Sequence, residues 1–148
     1  MNIVGGIYGS ALASASVFGR NEIVRTLLEN GADVDMVGGD YGSALALASA
    51  FGQKEVVQIL LENGADMNSL GEGNQSPLRL SSVNGHFSIA QILLDHGADV
   101  NLKHKDGLSV LKCARVSPSE AIVQLLLEHG ADPDEIAVDD ATPTDITQ

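Results

Sequence analysis

The heptapeptide LLENGAD, from Leu27 to Asp33, decides the fold because the chain contains four versions of it. It returns unchanged at 60–66, as LLDHGAD at 93–99 and as LLEHGAD at 126–132. Each version begins 33 residues after the previous one. A fixed period of this length predicts a stack of small units that each contact mainly their neighbours, in place of one central core.

The period makes residues 1–148 a single repeat domain. Its units are 5–37, 38–70, 71–103 and 104–136, with a partial fifth unit at 137–148. Residues 2–4 are in register with the tail of a preceding unit. We therefore expect a segment of a longer array, in which both ends present an uncovered repeat face.

The second unit shows what each repeat is expected to build. Ser43 is a suitable N-cap for the short helix ALALASA, and Gly52 ends that helix. A longer helix is expected from position 53 or 54 to about 62, and Gly64 supplies the left-handed residue that stops it. The apolar stripe of this helix consists of Val56, Val57, Leu60 and Leu61. One such pair cannot bury its own apolar faces, so the copies must cover each other.

Two recurring motifs resemble a known family, the ankyrin repeats. The segments SPLRLS (76–81) and TPTDIT (142–147) are similar to the family's TPLHxA start, and NGADMN and HGADVN match its hGADhN ending. The resemblance implies an all-α ankyrin-repeat solenoid of helix-turn-helix units with short turn or hairpin fingers. It also implies a non-catalytic protein–protein interaction module whose partners meet a concave face of turn tips and short helices. The GGxYGSAL openings further resemble fungal ankyrin arrays, many of which belong to NACHT-type receptors.

Two departures from the family pattern carry expectations of their own. The family's histidine after the leucine is replaced in the four units by Ala13, Ala46, Arg79 and Lys112. Any hydrogen-bond network made by that histidine must therefore be replaced or missing. Pro118 stands where earlier units have a glycine, so the fourth turn between helices should differ in shape.

The charge balance limits the classes of partner. The net charge is −12 and the pI about 4.4, which opposes binding to nucleic acid or to an anionic membrane surface. It favours protein partners with basic patches. The single cysteine and the absence of a long apolar run favour a cytoplasmic protein, with a nuclear one as the alternative.

We expect no catalytic residue, metal site or cofactor. The histidines are interpreted as solvated, and their spacing does not fit a metal site: His86, His96, His104 and His129. Cys113 has Lys112 and Arg115 nearby, which favours a lowered pKa, but a small, half-buried residue explains it better. The recurring aspartates Asp33, Asp66, Asp99 and Asp132 are expected to accept backbone N–H groups of the adjacent turn.

Candidate partner-binding residues lie where the units differ from each other. At the turn tips and short helices they are Ile7, Tyr8, Val17, Asp40, Tyr41, Ala50, Glu72, Gln75, Val83, Lys105, Asp106, Leu108, Val116 and Asp139. Four of them, Val17, Ala50, Val83 and Val116, predict an apolar strip, although packing between repeats explains them equally well. The aromatic side chains Tyr8, Phe18, Tyr41 and Phe51 are assigned to packing before binding.

The basic side chains Arg79, Lys103, Lys105, Lys112 and Arg115 gather in units three and four. They could receive a carboxylate-rich partner, although a solvated surface is the simpler explanation. The alternative function is a self-associating segment, since two uncovered repeat faces could stack end to end.

Overall fold

The computed structural model describes residues 8–40, 42–71, 73–117 and 119–134, and these ranges form eight α-helices in four pairs. The helices are α1 (Ala11–Val17), α2 (Asn21–Glu29), α3 (Ala44–Ala50), α4 (Lys54–Glu62), α5 (Pro77–Val83), α6 (Phe87–Asp95), α7 (Val110–Ala114) and α8 (Glu120–Glu128). The described ranges contain no strand beyond an isolated bridge between Gly38 and Gly42. The predicted all-α repeat solenoid is confirmed.

A serine caps the first helix of every pair. Ser43 has an extended backbone, and its side-chain oxygen accepts a hydrogen bond from the backbone N–H of Ala46 at 3.2 Å. The same bond recurs from Ser10, Ser76 and Ser109 in their units. A cap of this kind satisfies one of the donors that a helix start leaves unpaired. The predicted cap at Ser43 is therefore confirmed.

A glycine ends the second helix of every pair, as the sequence predicts. Gly64 has φ +82°, a left-handed conformation that costs glycine little. The N–H of Ala65 donates to the carbonyl of Leu60, and the N–H of Gly64 donates to that of Leu61, both at 3.0 Å. These two bonds form a Schellman motif, which satisfies the last carbonyls of α4.

The helices stack in two layers. α1, α3, α5 and α7 contact one another in sequence, and α2, α4, α6 and α8 do the same beside them. Most buried apolar side chains join one elongated cluster that runs through all four pairs, including Val24, Leu60, Leu93 and Leu126. Each apolar face is therefore covered by the neighbouring pair. No helix within the described ranges is long and apolar enough to cross a membrane.

The recurring aspartates accept backbone N–H groups of the adjacent turn, as predicted. Asp66 accepts from the N–H of Asn68 at 2.9 Å. Asn68, two positions after Asp66, also contacts the next unit, because its Oδ1 accepts a hydrogen bond from the N–H of Asp99 at 2.8 Å. Asp35 and Asn101 accept in the same way from Asp66 and Asp132. The repeated GAD segment thus closes each unit and joins it to the following one.

The fourth pair departs from the others. α7 ends at Ala114, two residues before the position at which α1, α3 and α5 end. Its C-cap, Arg115, has helical dihedral angles, unlike Phe18 and Phe51, the C-caps of α1 and α3. The expected difference in this turn therefore appears, although Pro118 itself lies outside the described residues.

Candidate functional site

The predicted partner-binding residues differ widely in exposure. Ile7, Tyr41, Glu72 and Asp139 lie outside the described residues. Asp40, Lys105 and Asp106 are exposed at turn tips, and Tyr8, Ala50, Gln75 and Leu108 are half-buried. Val83 and Val116 are exposed at 44% and 88%.

The predicted apolar strip is wrong at Val17. This side chain is 4% exposed and packs with Ala13 and Leu47, with Tyr8 against them. Packing between the first two units therefore accounts for Val17. Within the predicted strip, only Val83 and Val116 present a large apolar side chain to solvent.

Aromatic side chains of the first two units combine packing with exposure. The rings of Tyr8 and Phe18 meet edge to face, with centroids 6.0 Å apart and planes at 88°. Phe18 and Phe51 nevertheless remain 60% and 49% exposed at the ends of α1 and α3. The sequence interpretation of these residues as packing groups therefore holds only in part.

The structure brings three of the candidates together in one cleft between α5 and α7. Val83, Leu108 and Val116 line it together with Arg79, Lys112 and Cys113. We call this the α5–α7 cleft. Its volume is about 360 Å³, which suits one or two side chains of a partner.

Arg79 forms the polar wall of the α5–α7 cleft. Its Nη2 donates to Asp106 Oδ2 at 2.7 Å, and its side chain is only 10% exposed. The Arg79 guanidinium is the main reason why the pKa of the Asp106 carboxyl is lowered, and the backbone N–H of Leu108 lowers it further. Nη1 of Arg79 is buried and has no hydrogen-bond partner. The expectation of a solvated surface is therefore wrong for Arg79, because α5 packs between α3 and α7 and the guanidinium bonds Asp106 of the next unit.

His104 is buried, which contradicts the interpretation of all four histidines as solvated. It is 4% exposed, with Nδ1 3.1 Å from the carbonyl of Leu108 and Nε2 3.1 Å from Ser76 Oγ. Burial is the largest cause that lowers the pKa of His104, and Arg79 adds to it. Ser76 also caps α5, so this histidine from the fourth unit's turn supports the third unit's short helix.

The other histidines described are structural or exposed. His96 and His129 are exposed, and Nδ1 of each contacts a carbonyl one turn earlier, at 2.8 and 2.9 Å. His86 is half-buried and places Nε2 3.0 Å from the carbonyl of Ala50 in the preceding unit. Within the described ranges, no group of three or more metal-binding side chains is placed to hold an ion.

Cys113 is half-buried in the α5–α7 cleft. Burial raises the pKa of its thiol and outweighs the neighbouring Arg79 and Lys112. The lowered pKa that the nearby basic residues favoured is therefore wrong, and the interpretation as a half-buried structural residue holds. A neutral thiol is a poor nucleophile.

The sequence held one signal for this cluster. Arg79 occupies the position of the family's histidine, where the hydrogen-bond network was expected to be either replaced or missing. Its partners were not foreseen, because Asp106 and His104 follow 27 and 25 residues later and belong to the next unit. Only the stacking of the units shows that these side chains meet.

Stacked helix pairs, serine caps and glycine stops at a constant period define a repeat solenoid whose short-helix layer carries the cleft. The family model for ankyrin repeats in three copies matches residues 5–71 and again 45–137. The chain therefore belongs to the ankyrin repeat family. Domains of this family generally mediate protein–protein interaction and are typically non-catalytic. No curated protein matches the chain.

Proposed function

We propose that this chain is a non-catalytic protein–protein interaction module that presents a concave recognition surface along its turn tips and short helices. The observation that carries the proposal is the α5–α7 cleft, where Val83 and Val116 remain exposed beside a buried cation. Exposed apolar side chains grouped beside polar ones are typical of binding sites.

The stacked scaffold supports this role. The second helices are held by the long apolar cluster, and consecutive units are linked by hydrogen bonds that the side chains of Asp35, Asn68 and Asn101 accept. A scaffold fixed in this way loses little conformational entropy when a partner docks. The overall charge of −12 favours a partner whose surface is mainly basic.

Affinity capture with paired variants tests the surface. Val83→Lys changes an exposed side chain of α5, and Gln91→Lys makes the same addition at an exposed position of α6. Bound proteins are identified by mass spectrometry. We expect a partner that is retained by wild type and by Gln91→Lys but lost by Val83→Lys.

A second pair probes the charged turn tips. Asp40→Arg changes an exposed carboxylate and should weaken the same partner while the circular dichroism spectrum stays unchanged. Asp106→Arg is less informative, because it would place a second guanidinium against Arg79. A partner equally retained by wild type, Asp40→Arg and Val83→Lys would contradict a recognition surface on the short-helix layer.

End-to-end self-association is the second candidate function. Ile23 on α2 is 52% exposed, whereas Val56, Ile89 and Ile122, one period apart, are at most 2% exposed. In those later units the preceding pair covers the position. Light scattering at rising protein concentration tests the idea, and a strict monomer throughout would remove it.

The origin and compartment of the chain also stay predictions. Similarity of the GGxYGSAL openings to fungal arrays of NACHT-type receptors is tested by reading the neighbouring domains of the full-length gene. Cytoplasmic or nuclear residence is tested by imaging a tagged chain.

A further inference from the structure

We propose that the α5–α7 cleft binds a partner segment that inserts an apolar side chain and places an adjacent carboxylate on Arg79. This inference rests on the proposed function and specifies the chemistry of the partner at this point of its surface.

The body of the cleft is apolar. Val83 and Val116 are 44% and 88% exposed, and Leu108, which also lines the cleft, is half-buried. A cleft of about 360 Å³ accommodates a leucine- or phenylalanine-sized side chain with part of its backbone. Covering these three side chains would remove apolar surface from water, which favours binding.

Both charged residues that line the cleft are basic, and Arg79 is paired with Asp106 at its edge. Arg79 and Lys112 are the charged residues that line it, although the chain as a whole carries −12. The thiol of Cys113 adds no negative charge, because its raised pKa keeps it protonated at neutral pH. An apolar wall with cationic side chains complements a ligand that is apolar and anionic.

Arg79 also has hydrogen-bonding capacity that the protein does not use. Nη2 donates to Asp106, but the buried Nη1 has no acceptor. A buried donor without a partner costs free energy, which an incoming acceptor would recover. A carboxylate fits the guanidinium best, because Nη1 and Nη2 can bind its two oxygens in parallel once Nη2 is released from Asp106.

Asp106 is placed to compete with such a ligand. Its side chain is 41% exposed on a turn, and it holds the guanidinium through one bond. Because Nη1 is shielded from solvent, the guanidinium must turn toward the cleft to bind a carboxylate, and its bond to Asp106 is then shared or broken. Asp106 therefore acts as an internal substitute for the partner's carboxylate.

The test uses two mixtures of synthetic heptapeptides with acetylated and amidated ends. One mixture contains a central Leu-Asp or Asp-Leu pair, and the other contains Leu-Asn or Asn-Leu in the same flanks. Each is titrated into the isotopically labelled protein and followed by NMR. We expect the aspartate mixture to shift the amide signals of Val83, Leu108 and Val116 with at least about ten-fold higher affinity than the asparagine mixture, equivalent to about 1.4 kcal/mol.

Three variants separate a carboxylate site from an apolar surface. Asp106→Asn removes the competing carboxylate and should tighten binding of the aspartate mixture several-fold. Val116→Glu places a carboxylate at an exposed position of the cleft and should weaken it at least about five-fold. Gln91→Glu makes the same kind of change at an exposed position of α6 and should leave binding unaltered.

Arg79→Gln should remove the preference for aspartate over asparagine. If that variant fails to fold, Asp106→Asn and Val116→Glu still decide the question. Equal affinity for both mixtures, signal shifts confined to other units, or unchanged or weaker aspartate binding by Asp106→Asn would overturn the proposal.

The two proposals fail in different ways. A captured partner that depends on Val83, together with equal binding of both peptide mixtures, overturns only the carboxylate site. Loss of both the Val83-dependent partner and the aspartate preference overturns the interaction surface as well.

Discussion

Arg79 and His104 form a polar cluster in the interior between the third and fourth units. Arg79 replaces the histidine of the family motif, and His104 reaches back from the next turn to Ser76, the cap of α5. With Nδ1–H donating to the Leu108 carbonyl, Nε2 can accept from the Ser76 hydroxyl, whose oxygen caps α5. This arrangement requires a neutral ring.

We predict that acid destabilises the protein through His104. Burial lowers the pKa of this residue from its ordinary value of 6.5, so the unfolded chain takes up the proton first. The resulting stability is present above about pH 6.5 and is lost as the pH falls below it, with a slope of at most about 1.4 kcal/mol per pH unit. Urea unfolding between pH 7 and pH 5 measures this slope.

His104→Gln should flatten the slope, because glutamine keeps polar atoms but does not titrate. His96→Gln, at an exposed histidine, is the matched control and should retain the wild-type slope. Identical pH dependence of wild type and His104→Gln would contradict this role for the buried ring.

Gly42 and Gly64 both have positive φ but should respond differently to alanine. At Gly42 (φ +95°) an added Cβ would lie 2.8 Å from Gly71 Cα in the next turn, whereas at Gly64 (φ +82°) it would meet nothing within 4 Å. Gly64→Ala should cost about 1 kcal/mol for the left-handed conformation. Gly42→Ala should cost more, since the turns must also separate. Thermal unfolding of both variants checks this, and equal losses would show that the close approach is unimportant.

At the scale of the element, the short helices depend on their caps. α1, α3 and α5 have seven residues and α7 has five, which is too few to be stable alone. Each therefore relies on its serine cap and on packing between neighbouring pairs.

We predict that Ser43→Ala lowers the free energy of unfolding by about 1 kcal/mol, because the backbone N–H of Ala46 loses its acceptor. Ser88→Ala, at an exposed position of α6, is the control. Denaturant unfolding compares the two. A loss at Ser88 as large as that at Ser43 would show that the cap bond is not the cause.

The early end of α7 has a consequence for the cleft. Val116 lies two residues after the end of α7 and is 88% exposed. Val17, at the same position of the first unit, is the last residue of α1 and is 4% exposed. The early end of α7 thus places Val116 outside the helix, at a position that is buried in the first unit and exposed in the third and fourth.

At the scale of the whole molecule, stability should follow the order of the stack. Leu60 lies in the central α4, and Leu126 lies in α8; both are completely buried. Either substitution by alanine should cost about 2–5 kcal/mol locally. Because each unit contacts mainly its neighbours, Leu126→Ala should release protection in the fourth unit first, while Leu60→Ala should affect units on both sides.

Native-state hydrogen exchange distinguishes these patterns. Peptides from α1 to α4 should keep wild-type protection in Leu126→Ala and lose it in Leu60→Ala. Equal loss along the whole array in both variants would mean that the stack unfolds as a single unit.

The sequence by itself determined the period, the helix pairs, the Ser43 cap, the Gly64 stop and the bond accepted by Asp66. The period is read directly from the repeated letters, and the cap, the stop and the turn bond each depend on residues within about five positions, so spacing and side-chain type were sufficient. Only the tertiary structure decided which equivalent positions are buried and which groups meet between units. Val17 and Val116 share a register but not a neighbour, and Arg79 meets Asp106 across 27 residues. Burial and long-range pairing depend on what stacks against a residue, and a repeated pattern alone does not contain that information.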